Sequence, residues 1–363
     1  MPSTRILITG LSTYWGGRLA QALEGFETVE AIIGVDSREP TVELERTEFV
    51  HVHNQHSLLQ RIIRAAEIDT VIDARLTVNS LEGSAREIHE NNVIGTMNIL
   101  AACSGPDSPV RKVVFKSSTY YYGAEQDDPA FFTEAMPRPH RPNTSLERDI
   151  LEAEEAVEEF ADKHPDVTVT VLRFANVLGP DVDTAFTRMF ALPLVPMVLG
   201  FDPRLQFVHE DDVVHALEHA VMGNYPGTFN VAADGVLALS EVIGLLGKRP
   251  LPVLPPFGAG LLTMPLRRLG LRIPDEMNNL LRFGRGVDNR LYKATGFRYG
   301  HTSRETVIRL GEHFRLAPVL KGREDTYTYE RGVEDFLRWS PHVRRHRELA
   351  REGVAADREP LGI

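Results

Sequence analysis

The stretch that most constrains this chain is residues 5–23, RILITGLSTYWGGRLAQAL, near its amino end. An apolar run ends at Thr9, a glycine-containing loop follows, and Leu19, Ala22 and Leu23 then fall on one face of a helical pattern. This order predicts a buried strand, a tight turn and an amphipathic helix. A strand that leads directly into a helix is typical of α/β proteins built on a parallel sheet.

The turn between this strand and helix is a candidate phosphate-binding site. Gly10 and Gly16 stand where the TGxxGxxG loop of dinucleotide-binding proteins has its outer glycines, and Thr13 takes the middle place. Free backbone N–H groups at a helix start attract a diphosphate. We therefore predict cofactor contacts from this loop, including Tyr14 and Trp15. Because the Thr13 side chain narrows the approach, an ordinary glycine-poor turn is the alternative.

An acidic residue ends the next predicted strand, over residues 29–35. Asp36 lies about 20 residues beyond the last loop glycine, where a carboxylate can accept both ribose hydroxyls of an adenosine. The same charge repels a 2′-phosphate, so we expect NAD rather than NADP as the cofactor. Arg38 follows closely and weakens that preference.

The alternation of strands and helices predicts a doubly wound, Rossmann-type parallel sheet in the α/β class. Beyond residues 179–180 the alternation becomes irregular, which indicates a smaller lobe. We therefore predict a dinucleotide-binding domain over 1–178, a substrate-binding lobe over 179–320 that interleaves with the end of the sheet, and a partly disordered extension over 321–363. The predicted strands are 48–52, 70–74, 110–116 and 167–173, with short strands at 205–209 and 228–231 in the lobe, and the predicted helices are 58–66, 82–102 and 146–163.

Composition excludes several classes of function. The formal net charge of −11 argues against nucleic-acid binding, which needs an excess of Lys and Arg on one face. The single cysteine, Cys103, excludes an internal disulfide and favours a reducing cytoplasm. The first strand begins too early for a signal peptide, and no apolar run is long enough to span a bilayer. We expect His51, His53 and His56 to face solvent, and we predict no metal site.

Polar side chains cluster where predicted strands end. Ser118 follows the strand over 110–116, and Tyr120 and Tyr121 come directly after it. Ligands bind at the carboxyl edge of such a sheet, so these hydroxyls indicate an active-site edge. Ala74 and Arg75 end another strand at this edge. Arg75 is expected either to contact a diphosphate or to be a solvated loop residue.

The order and spacing of these segments resemble the extended short-chain dehydrogenases/reductases of the NAD-dependent epimerase/dehydratase family, over about residues 4 to 310. The motifs that carry the resemblance are ITGLSTYWGG, Asp36, Asn92 in NNVIGTMNIL, Ser118 in KSSTYYYG, Asn176 in LRFANVLGP, FVHEDD and FNVAADG.

The resemblance implies roles for three of these residues. Ser118 would polarise a substrate carbonyl or hydroxyl, Asn92 would support the cofactor and a water, and Asn176 would lie beside the nicotinamide and the substrate. The family often dimerises through the helices that contain Asn92 and residues 146–163, so the resemblance also implies a possible homodimer.

The family's catalytic pair, a Tyr and a Lys four residues later, is missing. Counting back from Pro165 and Arg173, the pair falls on Leu146 and Ile150, or on Thr144 and Arg148 after a shift of two residues. Neither register offers a phenol or an amine, so the usual proton transfer cannot start from this helix.

Three functions remain open from the sequence. In the first, the chain is an oxidoreductase or epimerase in which Tyr120 or Tyr121 carries the proton beside Ser118. Alternatively, it is a dinucleotide-binding regulatory or scaffold protein without turnover. A third possibility is a reductase for a lipid-like or steroid-like substrate, because residues 251–274 are apolar with inserted arginines and resemble a lid. A nucleotide sugar is possible as the small-molecule substrate.

Overall fold

The computed structural model of the chain describes residues 3–52, 56–105, 107–254, 273–320 and residue 333. Its centre is a sheet of seven strands that are all parallel, which confirms the predicted doubly wound α/β fold. In spatial order the strands are β3 (Thr47–His51), β2 (Ala31–Asp36), β1 (Arg5–Thr9), β4 (Thr70–Asp73), β5 (Lys112–Ser118), β6 (Thr168–Phe174) and β11 (Gly227–Val231).

Helices cover both faces of this sheet. On one face lie α2, α4 and α5, and on the other lie α1 and α7. The described helices are α1 (Tyr14–Glu24), α2 (His56–Ala65), α3 (Ala85–His89), α4 (Gly95–Cys103), α5 (Ser145–Lys163), α6 (Ala185–Ala191), α7 (Glu210–Met222), α8 (Leu239–Leu245), α9 (Asp275–Phe283), α10 (Arg290–Ala294) and α11 (Ser303–Leu320).

The apolar run of β1 is explained by its place at the centre of the sheet. Ile6 and Ile8 point into the core beneath α1 and α7, and Leu7 points into the core on the opposite face. All three are fully buried. A parallel strand covered on both faces needs apolar residues at every position, which is the pattern that predicted it.

Two predicted elements differ from those in the structure. The helix predicted over 82–102 consists of α3, a π-helical turn at Glu90–Ile94, and α4. The strand predicted over 205–209 is two short strands, β9 (Arg204–Leu205) and β10 (Phe207–His209), in separate small sheets. Periodicity alone reports neither a π-turn nor the exchange of a strand's partners.

The chain beyond residue 179 contributes strands both to the main sheet and to the small sheets. Its strand β11 pairs with β6 at the edge of the main sheet. The remaining strands form small sheets, and residues 255–272 and 321–363 lie outside the described residues except for residue 333. Besides β9 and β10, the strands of the small sheets are β7 (Asn176–Leu178), which comes just before residue 179, β8 (Leu194–Val198), β12 (Leu237–Ala238), β13 (Arg249–Val253) and β14 (Gly284–Arg285).

In the part of the chain that the structure describes, no helix combines the length and apolarity needed to cross a membrane.

A buried ion pair connects α5 to β6. The Arg173 guanidinium donates to Glu154 through Nε at 2.9 Å and Nη2 at 2.6 Å, and both side chains are 6% exposed. Ser117 also donates a hydrogen bond to the Glu154 carboxylate. The carboxylate on α5 therefore binds to both β5 and β6. Its removal leaves a buried guanidinium without a counter-ion.

We predict that Glu154→Gln lowers the free energy of unfolding by about 3–5 kcal/mol, because a buried charge loses its partner. The neighbouring Glu155 is exposed on the same helix, so Glu155→Gln is the matched control and should change stability by less than about 0.5 kcal/mol. Urea denaturation of both variants measures the difference. Equal midpoints would show that the pair contributes nothing to stability.

Candidate functional site

The glycine loop after β1 adopts a conformation that depends on both of its predicted glycines. Gly10 has a φ of +80°, and a Cβ on it would lie 2.6 Å from Cγ of Arg75. A Cβ on Gly16 would lie 2.2 Å from the carbonyl oxygen of Gly10. Both positions therefore exclude any larger side chain.

Thr13 closes the loop from within. Its hydroxyl donates to the Gly10 carbonyl at 2.7 Å and accepts from the Gly16 N–H at 3.1 Å, which makes Thr13 the N-cap of α1. One of the helix's free N–H groups is thereby used inside the protein. The loop remains a candidate diphosphate site with one donor fewer than an all-glycine loop offers.

The end of β2 faces the same loop. The Asp36 carboxylate accepts hydrogen bonds from the Ser12 N–H at 2.9 Å, the Ser12 hydroxyl at 2.7 Å and the Ser37 N–H at 2.6 Å. The side chain is half-buried and lines a cavity. Asp36 thus lies at the end of β2 beside the glycine loop, and Arg38 is exposed next to it.

Arg75 is not a solvated loop residue, which corrects one of the two sequence-based expectations. Its guanidinium is bound to Asp73 through Nε and Nη2, each at 2.9 Å, and its side chain is only 11% exposed. Asp73 also accepts from the hydroxyls of Thr9 at 2.9 Å and Thr96 at 3.1 Å. Burial by itself would raise the pKa of Asp73, but the guanidinium and the Thr9 hydroxyl hold it below its ordinary value.

Asn92 fixes the chain that follows β4. Its amide oxygen accepts from the Thr77 N–H at 2.9 Å, and its amide nitrogen donates to the Thr77 carbonyl at 2.8 Å. Asn91, beside it in the π-turn, donates to the Arg75 carbonyl at 3.0 Å. Asn92 is fully buried, so it positions the edge of the site.

Two adjoining cavities of about 400 Å³ each lie along the carboxyl edge of the sheet. The first extends to Asp36, and the second extends to Ser118 and Asn176. Together they form one crevice across the point at which the strand order reverses. The residues that line both cavities are Thr13, Arg38, Arg75, Thr77 and Glu82.

The second cavity contains most of the other predicted site residues. Ser118 is buried at the end of β5, and its hydroxyl accepts from the Tyr120 N–H at 3.2 Å. Asn176 donates to the Gln206 carbonyl at 3.1 Å. Tyr14, Trp15 and Ala74 also line this cavity.

Tyr120 and Tyr121 lie in different places. Tyr120 lines the second cavity, and burial raises the pKa of its phenol well above the ordinary value, so the phenol stays protonated. The Tyr121 ring instead lies 3.4 Å from the Arg173 guanidinium carbon and borders a cavity beside α5. The structure therefore does not bring Tyr121 together with Ser118, and we drop it as a candidate proton carrier.

The two registers considered for the missing catalytic pair fall on the first turns of α5 and the residue before it. Leu146 and Ile150 are fully buried in the hydrophobic core. Thr144 is the N-cap of α5, and Arg148 is exposed. None of these four side chains lines the crevice as described.

Sequence reasoning missed Lys116. It lies on β5 two residues before Ser118, is only 3% exposed, and lines the second cavity. Its Nζ lies 5.7 Å from the centre of the Trp15 ring. A lysine inside an apolar strand pattern, VRKVVFKSS, was the available signal, because charged residues are seldom buried without a specific reason.

Comparison with known proteins identifies the family. The model of the NAD dependent epimerase/dehydratase family matches residues 6–232. An uncharacterized protein of Mycobacterium tuberculosis strain H37Rv, Rv0501, is 36% identical over 326 residues, which cover 87% of this chain and 85% of that protein. The chain therefore belongs to the NAD-dependent epimerase/dehydratase family.

Solved structures share the fold. UDP-glucose 4-epimerase from Thermotoga maritima, solved with UDP-glucose, has a TM-score of 0.66 at 20% identity and covers 87% of this chain and all of its own. MoeE5 in complex with UDP-glucuronic acid and NAD has a TM-score of 0.65 at 22% identity, over 86% of this chain and 99% of its own. At these identities the likeness establishes the fold.

We predict that Arg75→Met lowers the free energy of unfolding by about 3–5 kcal/mol, because Asp73 is left charged and buried. The double variant Asp73→Asn with Arg75→Met should recover most of the loss, since no charge remains. Denaturation of the three proteins measures this.

The loss in free energy of unfolding caused by Arg75→Met should also become smaller as the pH falls. In the wild type, Asp73 contributes stability above its ordinary pKa of 3.8 and loses it as the pH falls through its lower folded pKa. In the variant, burial raises the pKa, so protonation relieves the penalty. A double variant as unstable as Arg75→Met, or a deficit that does not change with pH, would contradict this account.

Proposed function

We propose that the crevice binds NAD and that the protein acts as an oxidoreductase or epimerase with a non-standard active site. The observation that carries the proposal is the continuous crevice from Asp36 to Ser118 and Asn176, formed by two cavities that share five residues. Family membership and the NAD-bound neighbour MoeE5 support it.

The residues present fit an adenine dinucleotide. Asp36 offers a half-buried carboxylate for ribose hydroxyls, and its charge disfavours a 2′-phosphate. The loop at Gly10 and Gly16 offers a close approach to backbone N–H groups. Asn176 and Ser118 would lie at the nicotinamide end, as the resemblance implies. When bound, NAD accepts or returns a hydride at its nicotinamide ring.

The protein's own contribution is to orient the substrate and handle a proton. In this proposal the Ser118 hydroxyl donates to a substrate oxygen, and the protonated phenol of Tyr120, which lines the same cavity, is a second donor. We take a nucleotide sugar as the substrate class, because structural neighbours were solved with UDP-glucose and UDP-glucuronic acid.

A second candidate is a dinucleotide-binding regulatory or scaffold protein that does not turn over. The burial of Leu146 and Ile150 favours it, because α5 supplies neither a base nor a group that lowers the pKa of one. A lipid-like substrate has no support, since most of the apolar segment behind that idea lies outside the described residues.

We also propose a cytoplasmic location and a homodimer. A cytoplasmic location agrees with the single, buried and free Cys103. A homodimer through the π-turn, α4 and α5 agrees with Ile94 and Met97, which are 43% and 47% exposed on that surface.

We predict that Asp36→Ala weakens NAD binding by about 1–3 kcal/mol, because the ribose loses a charged acceptor. NADP should lose less, so that the preference for NAD shrinks. Ser12→Ala, which removes a hydroxyl that bonds to the same carboxylate, is the control and should retain most of the affinity. Calorimetric titration decides, and unchanged affinity in Asp36→Ala would place the adenosine elsewhere.

We predict that Ser118→Ala and Tyr120→Phe each lower turnover by about 10²-fold, because each removes a donor to the reacting oxygen. NAD affinity should change little. Tyr121→Phe is the matched control from outside the crevice. Nicotinamide absorbance with UDP-glucose or UDP-glucuronate measures NADH formation, and sugar-nucleotide chromatography detects epimerisation. Tight NAD binding without turnover of either sugar in the wild type would favour the second candidate.

A further inference from the structure

Two lysines on β5 are buried, and among the described residues only Lys112 has hydrogen-bond acceptors for its ammonium group. The Lys112 ammonium donates to the Val221 carbonyl at 2.6 Å, to the Ser3 hydroxyl at 3.0 Å and to the Gly223 carbonyl. The Lys116 ammonium group, four residues later, forms no hydrogen bond or ion pair with any described residue, and its Nζ lies 5.7 Å from the centre of the Trp15 ring. Burial without an acceptor destabilises the charged form of an ammonium group.

The acidic groups around Lys116 do not satisfy it. Glu82 and Asp73 act on it only at a distance. Asp73 is already bound to Arg75, Thr9 and Thr96, and Glu82 is exposed at the mouth of the crevice. The other charged groups that line its cavity are Arg38, Arg75, Asp181 and Asp183, of which Asp183 is paired with Arg188.

We infer that Lys116 is a ligand-binding residue whose ammonium group pairs with an anionic oxygen, of a phosphate or a carboxylate, on the molecule held in the crevice. The inference rests on the proposed function, because it takes this crevice as the binding site. The missing acceptor then comes from the ligand. Lys112 shows how the same strand binds a lysine that serves the fold alone.

Two sources of the anion are open. The diphosphate of the dinucleotide is one. A second anionic ligand, such as the diphosphate or carboxylate of a sugar nucleotide, is the other. The same chemistry recognises both, and sequential titration separates them.

Proton uptake is the signature of this pairing. Burial lowers the pKa of Lys116 to about 8, so the ligand-free group is about half protonated at pH 8. An anion beside it raises its pKa again, so binding near that pH should take up a fraction of a proton. Affinity should fall by about tenfold per pH unit above pH 8, since less of the protein carries the charge.

The experiment compares the wild type with Lys116→Met and Lys112→Met. NAD is titrated calorimetrically at pH 8 in two buffers of different ionisation enthalpy, and UDP-glucuronate is then titrated into the NAD-loaded protein. We expect proton uptake in the wild type and in Lys112→Met, its loss in Lys116→Met, and affinity for the responsible ligand at least tenfold weaker in Lys116→Met. Uptake with NAD assigns the anion to the dinucleotide, and uptake only with UDP-glucuronate assigns it to the second ligand.

Thermal unfolding of the ligand-free proteins gives a readout that needs no ligand. Lys116→Met should unfold at the same or a higher temperature than the wild type, because an unpaired buried charge is removed. Lys112→Met should unfold at a lower temperature, because two carbonyls and a hydroxyl lose their donor. If Lys112→Met fails to fold, Lys112→Arg replaces it in the titrations.

Two results would overturn the inference. One is binding of both ligands to the wild type without proton uptake, and the other is a loss of ligand-free stability in Lys116→Met as large as in Lys112→Met. Absence of any NAD binding would instead refute the proposed cofactor. Pyrophosphate and UDP-glucuronate titrations of the same variants then decide the role of Lys116 separately.

Discussion

The Asp73–Arg75 ion pair occupies the point at which the strand order of the sheet reverses, and its surroundings depend on it. The Arg75 stem requires a glycine at position 10, and its guanidinium requires one at position 95, where a Cβ would lie 2.4 Å from Nη1. The hydroxyls of Thr9 and Thr96 bind the carboxylate. The first loop, the end of β4 and the start of α4 are thus held in one arrangement, and the crevice opens above them.

Much of this architecture follows from local sequence patterns. Continuous apolar runs predicted the central strands because those strands are covered on both faces. The strand-to-helix loop and Asp36 were predicted because their roles depend on backbone geometry and on spacing along the chain. The bounds of α5 were correct to within one residue, since Thr144 caps it and its apolar face repeats regularly.

The rest depends on contacts between distant segments, which single-sequence patterns do not report. Arg75 was left open because its ion pair with Asp73, only two residues before it, depends on the burial of the end of β4, which the local sequence does not report. Tyr120 and Tyr121 are neighbours in sequence, but the 3₁₀ turn at Thr119–Tyr122 directs them to different cavities. Lys116 was missed because its significance lies in the absence of an acceptor. The apolar side chains at the start of α5 belong to the hydrophobic core, and the buried cation beside the crevice lies on β5 instead.

The Thr13 cap has a consequence for how the loop behaves before any ligand arrives. Since its hydroxyl already joins the Gly10 carbonyl to the Gly16 N–H, the turn is tied at both ends by the chain itself. A ligand therefore binds to a turn that is already ordered, and its binding there loses little backbone entropy. The turn should resist proteolysis equally well with and without bound coenzyme.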